Sequence, residues 1–218
     1  MTINMSFKAG LAAIFLATTS GAALADEKTE AYVQENATNV LNSLNEPDIT
    51  VEERREKFQA YMEEFSNLDA VAKFVVGRYA TQFNEDDLDR YITAFRTYAL
   101  AVYEFYFNEY RGQGVEVTGS LDRNARDSIV DTTILRGDGQ ELTVRWRVLQ
   151  RGGKYQVVDI ALNADGNLIW LAIEQRAQFL SILDQNNGSP DALIAKIDSM
   201  TQELVDEREA AASDEASL

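Results

Sequence analysis

The residues of this chain that could do chemistry are limited in kind, because the sequence contains no histidine and no cysteine. These absences exclude a serine–histidine or cysteine–histidine nucleophile pair, a thiolate site and an ordinary zinc site. Carboxylates, tyrosines and lysines remain for acid–base work. Tyr103 and Tyr106 lie on an apolar helix face, but the apolar faces offer no acid to pair with them. A small enzyme using tyrosine or aspartate acid–base chemistry stays open as an alternative, with the missing acid counting against it.

Charged side chains at two places have both a structural and a functional interpretation. Asp86, Asp87 and Asp89 could hold a cation, although acids at the start of a helix usually complement its dipole. Arg145 and Arg147 point away from the apolar residues of their strand. They could contact a phosphate or form a charged solvent face. We favour the structural interpretation at both places.

Two polar residues, Gln175 and Arg176, lie within and at the edge of an apolar helix face. A polar side chain in such a position is either satisfied inside the protein or exposed at the mouth of a cavity. The sequence favours neither arrangement.

One helix rich in aromatic residues must position any apolar site. It holds over a third of the aromatic residues of the chain: Tyr91, Phe95, Tyr98, Tyr103, Phe105, Tyr106, Phe107 and Tyr110. Their spacing predicts an apolar arc of roughly 160°, wider than the roughly 100° stripe of a surface helix. Such a helix is either buried by protein on two sides or forms one wall of a cavity. Core packing is commoner, but tyrosine hydroxyls need partners, which weighs toward a cavity.

The first 25 residues have the pattern of a secretory signal peptide. Lys8 precedes an apolar run, Ala9–Ala17, that is too short to span a bilayer. Ala23–Ala25 is a small-x-small cleavage site, so we expect cleavage after Ala25. A soluble, exported protein would result, because no later segment is apolar for 18 residues.

The remaining chain is long enough for one domain with a sizeable core. We predict a domain over residues 26–205 and a disordered tail over residues 206–218. Lys8 is the only charged residue of the signal, so the mature net charge would be −17, against −16 for the whole chain. This acidity opposes binding to nucleic acid, which needs clustered lysine and arginine.

The apolar periodicity changes from helical to alternating at Gly112. Before it we predict four helices, with a capping box of Thr50 and Glu53, a C-terminal cap at Gly77 and an N-cap at Asn84. After it we predict strands that begin at Val115 and continue through 127–135, 142–148 and 155–160, joined by short glycine turns. Residues 165–167 then close the sheet and start a helix through Leu168, and Pro190 begins the last helix. The order predicts a single α+β domain with an antiparallel meander.

Several short motifs, in this order along the chain, resemble the MlaC (toluene-tolerance auxiliary) family of periplasmic phospholipid-binding proteins. In the helical half they are Leu68–Asp69, Phe74–Tyr79, Tyr91–Phe95, Tyr103 and Glu109–Gly112. In the second half they are Val144–Val148, Gly153–Asp159, Gly166–Leu168, Arg176–Phe179 and Leu193–Ile197. The resemblance covers most of residues 50–200. The chain departs from the family at Arg145 and Trp146, which replace an acid and a tyrosine, and at Tyr155, which replaces a tryptophan.

The resemblance implies a helical layer packed on a strongly curved antiparallel sheet of four to five strands, enclosing an apolar cavity for phospholipid tails. It implies a soluble, monomeric carrier in the periplasm of a Gram-negative bacterium, with no catalytic residue, no metal and no cofactor besides its phospholipid cargo. The implied partners are an MlaA-like outer-membrane lipoprotein complex and an inner-membrane ABC transporter with an MCE-domain component. Such a carrier would maintain outer-membrane lipid asymmetry.

The face assignments and the resemblance together predict the lipid-binding side chains. In particular, Tyr91, Phe95, Val102 and Tyr106 should form a wall that faces Val144, Trp146 and Val157. The full predicted set is Phe74, Val75, Tyr91, Phe95, Ala99, Val102, Tyr103, Tyr106, Val117, Ile134, Val144, Trp146, Val148, Val157, Ile160, Leu168, Leu171, Ala172 and Phe179. A protein scaffold with a filled core and no lipid is a third hypothesis beside the carrier and the enzyme.

Overall fold

A computed structural model of the chain describes residues 27–108, 114–135, 141–164 and 167–215, without the side chains of 106–108, 164 and 211–215. The predicted signal peptide lies outside these residues. The helices before the sheet are α1 (Glu27–Asn45), α2 (Val51–Phe65), α3 (Leu68–Val76) and α4 (Glu85–Asn108), with a short 3₁₀ helix at Gly77–Thr81. The strands are β1 (Val115–Asn124), β2 (Asp127–Leu135), β3 (Glu141–Arg151), β4 (Lys154–Ala164) and β5 (Asn167–Trp170). Helices α5 (Leu171–Gln185) and α6 (Pro190–Glu215) follow.

The helix ends use the residues that the sequence predicted. Thr50 and Glu53 form a complete capping box at the start of α2. Gly77 ends α3 with φ of 54°, a conformation that glycine adopts without a Cβ penalty. Asn84 accepts a hydrogen bond from the Asp87 backbone N–H at 2.9 Å and so caps α4. These signals are local in the sequence, which is why they could be predicted.

The sheet is an antiparallel meander of five strands in the order β1-β2-β3-β4-β5. It is curved and not closed. Register shifts occur in β1 near Val117 and in the β3–β4 pair beside Arg147. Bulges of this kind bend a strand and increase its twist, so they contribute to the curvature. The predicted α+β fold with a helical layer on a curved sheet is confirmed.

Two boundaries differ from the sequence prediction. Leu168 lies on β5, which pairs with β4, and the helix begins only at Leu171. The pairing of Leu168 with Asn163 is a contact between strands that helical spacing does not reveal. Helix α6 continues to Glu215, whereas a disordered tail was predicted from Asp206. The segment after Asp206 is rich in alanine and glutamate, which favour helix.

The core lies between the inner face of the sheet and the helices α1, α3 and α5. Trp146 is fully buried on β3, and its ring packs 5.2 Å from that of Phe65 at the end of α2. The Trp146 indole N–H donates to the Thr132 hydroxyl at 2.8 Å, which satisfies a polar group in an otherwise apolar layer. Asn67 ties α3 to the sheet, because its backbone N–H donates to the Val157 carbonyl and its side chain caps α3.

Helix α4 packs mainly against α6 and α3. Its aromatic side chains take part in a chain of ring contacts. In order, the rings are Phe83, Tyr91, Phe95, Phe179 and Tyr98, each in contact with the next. The Tyr91 hydroxyl donates to the Ala72 carbonyl at 2.9 Å, and burial raises the pKa of Tyr91 above its usual range. The aromatic helix therefore joins the helical layer together and leaves most of the inner sheet face to other helices.

Candidate functional site

An apolar cavity lies where α3, α4 and α5 meet. Its volume is about 20 Å³, which is room for one water molecule. The residues that line it are Val71, Phe95, Tyr98, Ala99, Val102, Tyr103, Leu171, Ala172 and Gln175. Six of them belong to the predicted lipid-binding set: Phe95, Ala99, Val102, Tyr103, Leu171 and Ala172. The tertiary structure thus brings together part of that set, from α4 and from the start of α5.

Helix α4 supplies most of the lining because its residues recur at helical spacing. Phe95, Ala99, Val102 and Tyr103 stand at positions i, i+4, i+7 and i+8, which share one face. Ala99 has the smallest side chain of these four lining residues. Tyr98, Tyr103 and Gln175 are the lining residues whose side chains carry polar groups.

Gln175 is satisfied at one end and free at the other. Its Nε2 donates to the Tyr98 hydroxyl at 2.9 Å, which joins α5 to α4. Its Oε1 is buried and has no hydrogen-bond partner among the described residues. Leaving such an acceptor unpaired costs roughly 1–3 kcal/mol. The sequence left open whether Gln175 is hydrogen-bonded inside the protein or exposed at a cavity. Both hold in part, because its Nε2 is bonded to Tyr98 while the residue lines the cavity.

A buried acid that the sequence analysis missed stands beside the cavity. Asp159 on β4 is only 5% exposed, and its Oδ1 accepts hydrogen bonds from the backbone N–H groups of Ile160 at 2.9 Å and Ala172 at 2.8 Å. Burial raises the pKa of Asp159 to about 6, against the lowering effect of these bonds and of Arg147. The expectation that no acid accompanies the apolar faces is therefore wrong. The carboxylate caps the first turn of α5, which a strand position does not reveal.

Tyr103 lines the cavity from α4, as Tyr98 does, and lies close enough to Asp159 to feel its charge. Burial raises the pKa of its hydroxyl above the usual range, and the charge of Asp159 adds to the effect. A tyrosine in this environment stays protonated at any ordinary pH, so it serves as a neutral hydrogen-bonding group.

Arg176 fastens α5 to the end of α3. Its guanidinium donates to the Phe74 carbonyl and lies over the Phe74 ring at 5.0 Å from the ring centre. A Cβ at Gly77 would lie 2.7 Å from the guanidinium nitrogens, so the glycine leaves the space that the arginine fills. Arg176 is thus satisfied by the protein, and Phe74 is a partly exposed support for it, with 41% of its surface accessible.

The remaining predicted residues whose side chains are described do not line this cavity. Val75, Tyr91, Ile134, Val144, Trp146, Val148, Val157, Ile160 and Phe179 are buried in the core, and Val117 packs against it. Leu168 is 38% exposed on the edge strand β5. The side chain of Tyr106 lies outside the described residues. The sequence predicted that residues of α4 would face Val144, Trp146 and Val157 across a lipid pocket. These three strand residues are not among the residues that line this cavity, which all belong to α3, α4 or α5.

The two arginines of β3 form a charged face on the outside of the sheet. Arg145 makes two hydrogen bonds to Asp131, which lies directly across from it on β2. Arg147 makes two more to Asp127. Each guanidinium is paired through two hydrogen bonds with a carboxylate, which supports the structural interpretation.

Three lining residues were absent from the predicted set: Val71, Tyr98 and Gln175. Val71 and Tyr98 follow the helical spacing of α3 and α4, so a wider reading of the apolar faces would have included them. Among the described residues, no group of three or more acidic side chains could hold a metal ion. None of the described helices combines the length and the apolar character needed to cross a membrane.

Comparison with known proteins agrees with the fold and assigns the family. The phospholipid-binding protein from Ralstonia solanacearum, solved in complex with a phospholipid, superposes with a TM-score of 0.68 at 18% identity. The match covers 80% of this chain and 97% of that one, which supports a shared fold. No curated protein matches this chain at a significant level. A family model described as MlaC protein matches residues 34–199, and the chain therefore belongs to the MlaC family.

Proposed function

We propose that this protein is a soluble periplasmic phospholipid carrier. It would move lipid between an outer-membrane lipoprotein complex and an inner-membrane MCE-domain ABC transporter, and so maintain outer-membrane lipid asymmetry. The observation that carries the proposal is an apolar cavity between three helices of a chain in the MlaC family. The structurally similar protein from Ralstonia solanacearum was solved with a phospholipid, which supports the same class of cargo here.

The cavity must enlarge to take an acyl chain. Pockets for small ligands usually have volumes of roughly 300–1,000 Å³, whereas this cavity has about 20 Å³. We expect the cavity to open between α4 and α5, because both helices line it. A single hydrogen bond between Tyr98 and Gln175 connects the two helices there. If the opening extended to the sheet, the buried residues Val144 and Trp146 would also reach the lipid.

The energetics of acyl-chain burial explain why such a protein can carry a lipid without losing it. A buried methylene is worth about 0.8 kcal/mol, so two chains of about 16 carbons gain roughly 25 kcal/mol on leaving water. A bilayer offers the same gain, so exchange between protein and membrane can be nearly balanced. Escape into water would lose this free energy, so the lipid stays bound until another apolar site is presented.

The net charge, −16 for the whole chain and −17 without the predicted signal peptide, supports delivery to a protein partner. Repulsion from anionic headgroups would discourage exchange with any membrane surface, over a range of about a Debye length. We infer that release requires docking on a partner. The predicted export signal would place the protein between the two membranes where such partners are found.

The enzyme alternative gains one observation, the buried Asp159 near Tyr103. Asp159 Oδ1 already accepts two backbone N–H bonds and caps α5. Its position fits a structural cap, and Tyr103 is held neutral by burial. We therefore infer that the pair supports the cavity wall and does not catalyse a reaction.

Organic extraction of the natively purified protein, followed by mass spectrometry, tests the carrier function. We expect phospholipid in near-stoichiometric amount. Ala99→Phe places a ring in the cavity and should reduce the lipid recovered, whereas Ala195→Phe, on an exposed face of α6, should not. Recovery of no phospholipid from several preparations of the unchanged protein would refute the carrier function.

A transfer assay tests the requirement for a partner. Protein loaded with labelled phospholipid is mixed with anionic vesicles alone, or with vesicles that carry the inner-membrane MCE-domain complex. We expect transfer to be faster in the second case. Equal rates would contradict docking-dependent release while leaving phospholipid binding intact.

A further inference from the structure

Two large apolar side chains are exposed where α3 and α5 lie side by side. Phe74 on α3 has 41% of its surface accessible, and Ile173 on α5 has 49%. The Arg176 guanidinium lies over the Phe74 ring, and Ile173 is the neighbour of Arg176 three residues earlier on α5. Both apolar side chains are therefore next to one arginine. Together with Lys73, which is exposed beside Phe74, they form what we call the α3–α5 patch.

The two cations of the patch are not neutralised by the protein. Among the residues that the structure describes, neither Lys73 nor Arg176 forms an ion pair with a carboxylate. The nearest acid on α5, Glu174, accepts a hydrogen bond from Gln178 on another side of that helix. The chain as a whole has 36 acidic residues against 20 basic ones, so the sign of the charge is reversed locally at this patch.

Arg176 is held in place before any partner binds. Its guanidinium donates to the Phe74 carbonyl and occupies space that a Cβ at Gly77 would fill. A guanidinium has five N–H donors, so one bond to a carbonyl leaves others for a carboxylate. An ordered side chain loses little conformational freedom on binding. Arginine and aromatic residues are also the types that contribute most to the energy of protein interfaces.

The patch lies on the helices that form part of the cavity wall. Val71 on α3 and Ala172 on α5 line the cavity, whereas the patch residues of the same helices are exposed. Besides the bond that Arg176 makes, Arg78 just after α3 donates to Asp184 near the end of α5 at 2.7 Å. Because α3 and α5 are connected at these two places, a partner on the patch could hold them as one unit while the cavity opens between α4 and α5.

We propose that the α3–α5 patch is the docking surface for a protein partner that presents acidic side chains around an apolar site. This inference rests on the proposed carrier function, in which lipid is released at a docked partner. A protein surface can match the patch alone, whereas a flat anionic bilayer would bring the surrounding acids within a Debye length of about 8 Å. A second copy of this chain would carry the same cations and the same net charge of −16.

Binding of the purified, phospholipid-loaded protein to the inner-membrane MCE-domain complex, held in phosphatidylcholine nanodiscs, tests this surface. Lys73→Glu reverses one charge of the patch, and Ile173→Ser removes one apolar contact. We expect each substitution to raise Kd about tenfold, because one weakens the attraction to acids and the other reduces the apolar contact area. The phospholipid recovered by extraction should be the same as from the unchanged protein, since neither side chain lines the cavity.

Two matched variants control for general effects of substitution. Lys196→Glu makes the same charge reversal at an exposed position of α6. Val51→Ser removes another exposed apolar side chain, at the start of α2. Both should bind the complex as tightly as the unchanged protein does.

Several results would overturn the inference. If Lys73→Glu binds as tightly as the unchanged protein or more tightly, the facing surface is not acidic, and if Ile173→Ser behaves like Val51→Ser, the apolar contact is not made. Binding to anionic vesicles that Lys73→Glu abolishes would assign the patch to a membrane surface, and a dimer that Ile173→Ser dissociates would assign it to a second copy. If the unchanged protein does not bind the complex, the inference fails together with docking-dependent release. The extraction of phospholipid decides the carrier function separately.

Discussion

Asp159 offers a direct test of the electrostatics around the cavity. The carboxylate is buried, and its desolvation raises the pKa from 3.8 to about 6. Bonds from the backbone N–H groups of Ala172 and Ile160, and the charge of Arg147, act in the opposite direction and do not cancel the effect of burial. Asp159→Asn keeps an oxygen that can accept both N–H bonds but removes the charge.

The sign of the pH effect follows from proton linkage. Between pH 4 and pH 6 the folded protein keeps a proton on Asp159 that the unfolded chain has released. The contribution of Asp159 to the free energy of unfolding therefore falls as the pH rises through this interval. A shift of about two pKa units corresponds to about 3 kcal/mol. Asp159→Asn carries no such proton, so its stability relative to the unchanged protein should rise by about that amount between pH 4 and pH 7.

Urea unfolding of both proteins at several pH values between 4 and 7.5 measures this difference. Other acids titrate alike in the two proteins and cancel in the comparison. Asp198→Asn, which removes one exposed acid from α6, is the control and should show a far smaller dependence on pH. If the free energy of unfolding differs between Asp159→Asn and the unchanged protein by the same amount at every pH, the inference of a buried carboxyl with a raised pKa is wrong.

Three further substitutions test local features by urea unfolding at neutral pH. Gly77→Ala should cost about 1–3 kcal/mol, because φ is 54° and the new Cβ meets Arg176; an unchanged midpoint would contradict both the strain and the close contact. Thr50→Ala should cost about 1 kcal/mol by removing the capping box of α2, and an unchanged midpoint would mean that the cap contributes nothing. Tyr91→Phe should lose about 1 kcal/mol with the bond to the Ala72 carbonyl; equal stability would mean that this bond contributes nothing.

The helix ends and the strands were predictable because their signals are local. The Thr50 capping box, the cap at Gly77 and the alternation through Val144–Val148 each depend on residues a few positions apart. The motifs that resemble the MlaC family extend this local information along the chain, and the match over residues 34–199 agrees with them. The class of fold and the family could therefore be inferred before any contact was known.

The start of α5 shows where such reasoning stops. Leu168 has helical spacing with Leu171, but its pairing with Asn163 places it on a strand. Asp159 belongs to a strand motif, and its role as a cap for Ala172 depends on a residue 13 positions later. Neither contact produces a periodic pattern in the sequence, because each depends on how two secondary-structure elements pack together.

Helical spacing alone puts Phe95, Ala99 and Val102 on one face of α4, and these three residues line the cavity. The spacing could not decide what that face meets. Tertiary packing brings it to α3 and α5, whereas the strand residue Trp146 packs against Phe65 of α2. Packing also leaves the Gln175 carbonyl beside the cavity without a hydrogen-bond partner in the described part of the chain. A face is a property of one helix, whereas a cavity and an unpaired atom arise only from the space that several elements leave between them.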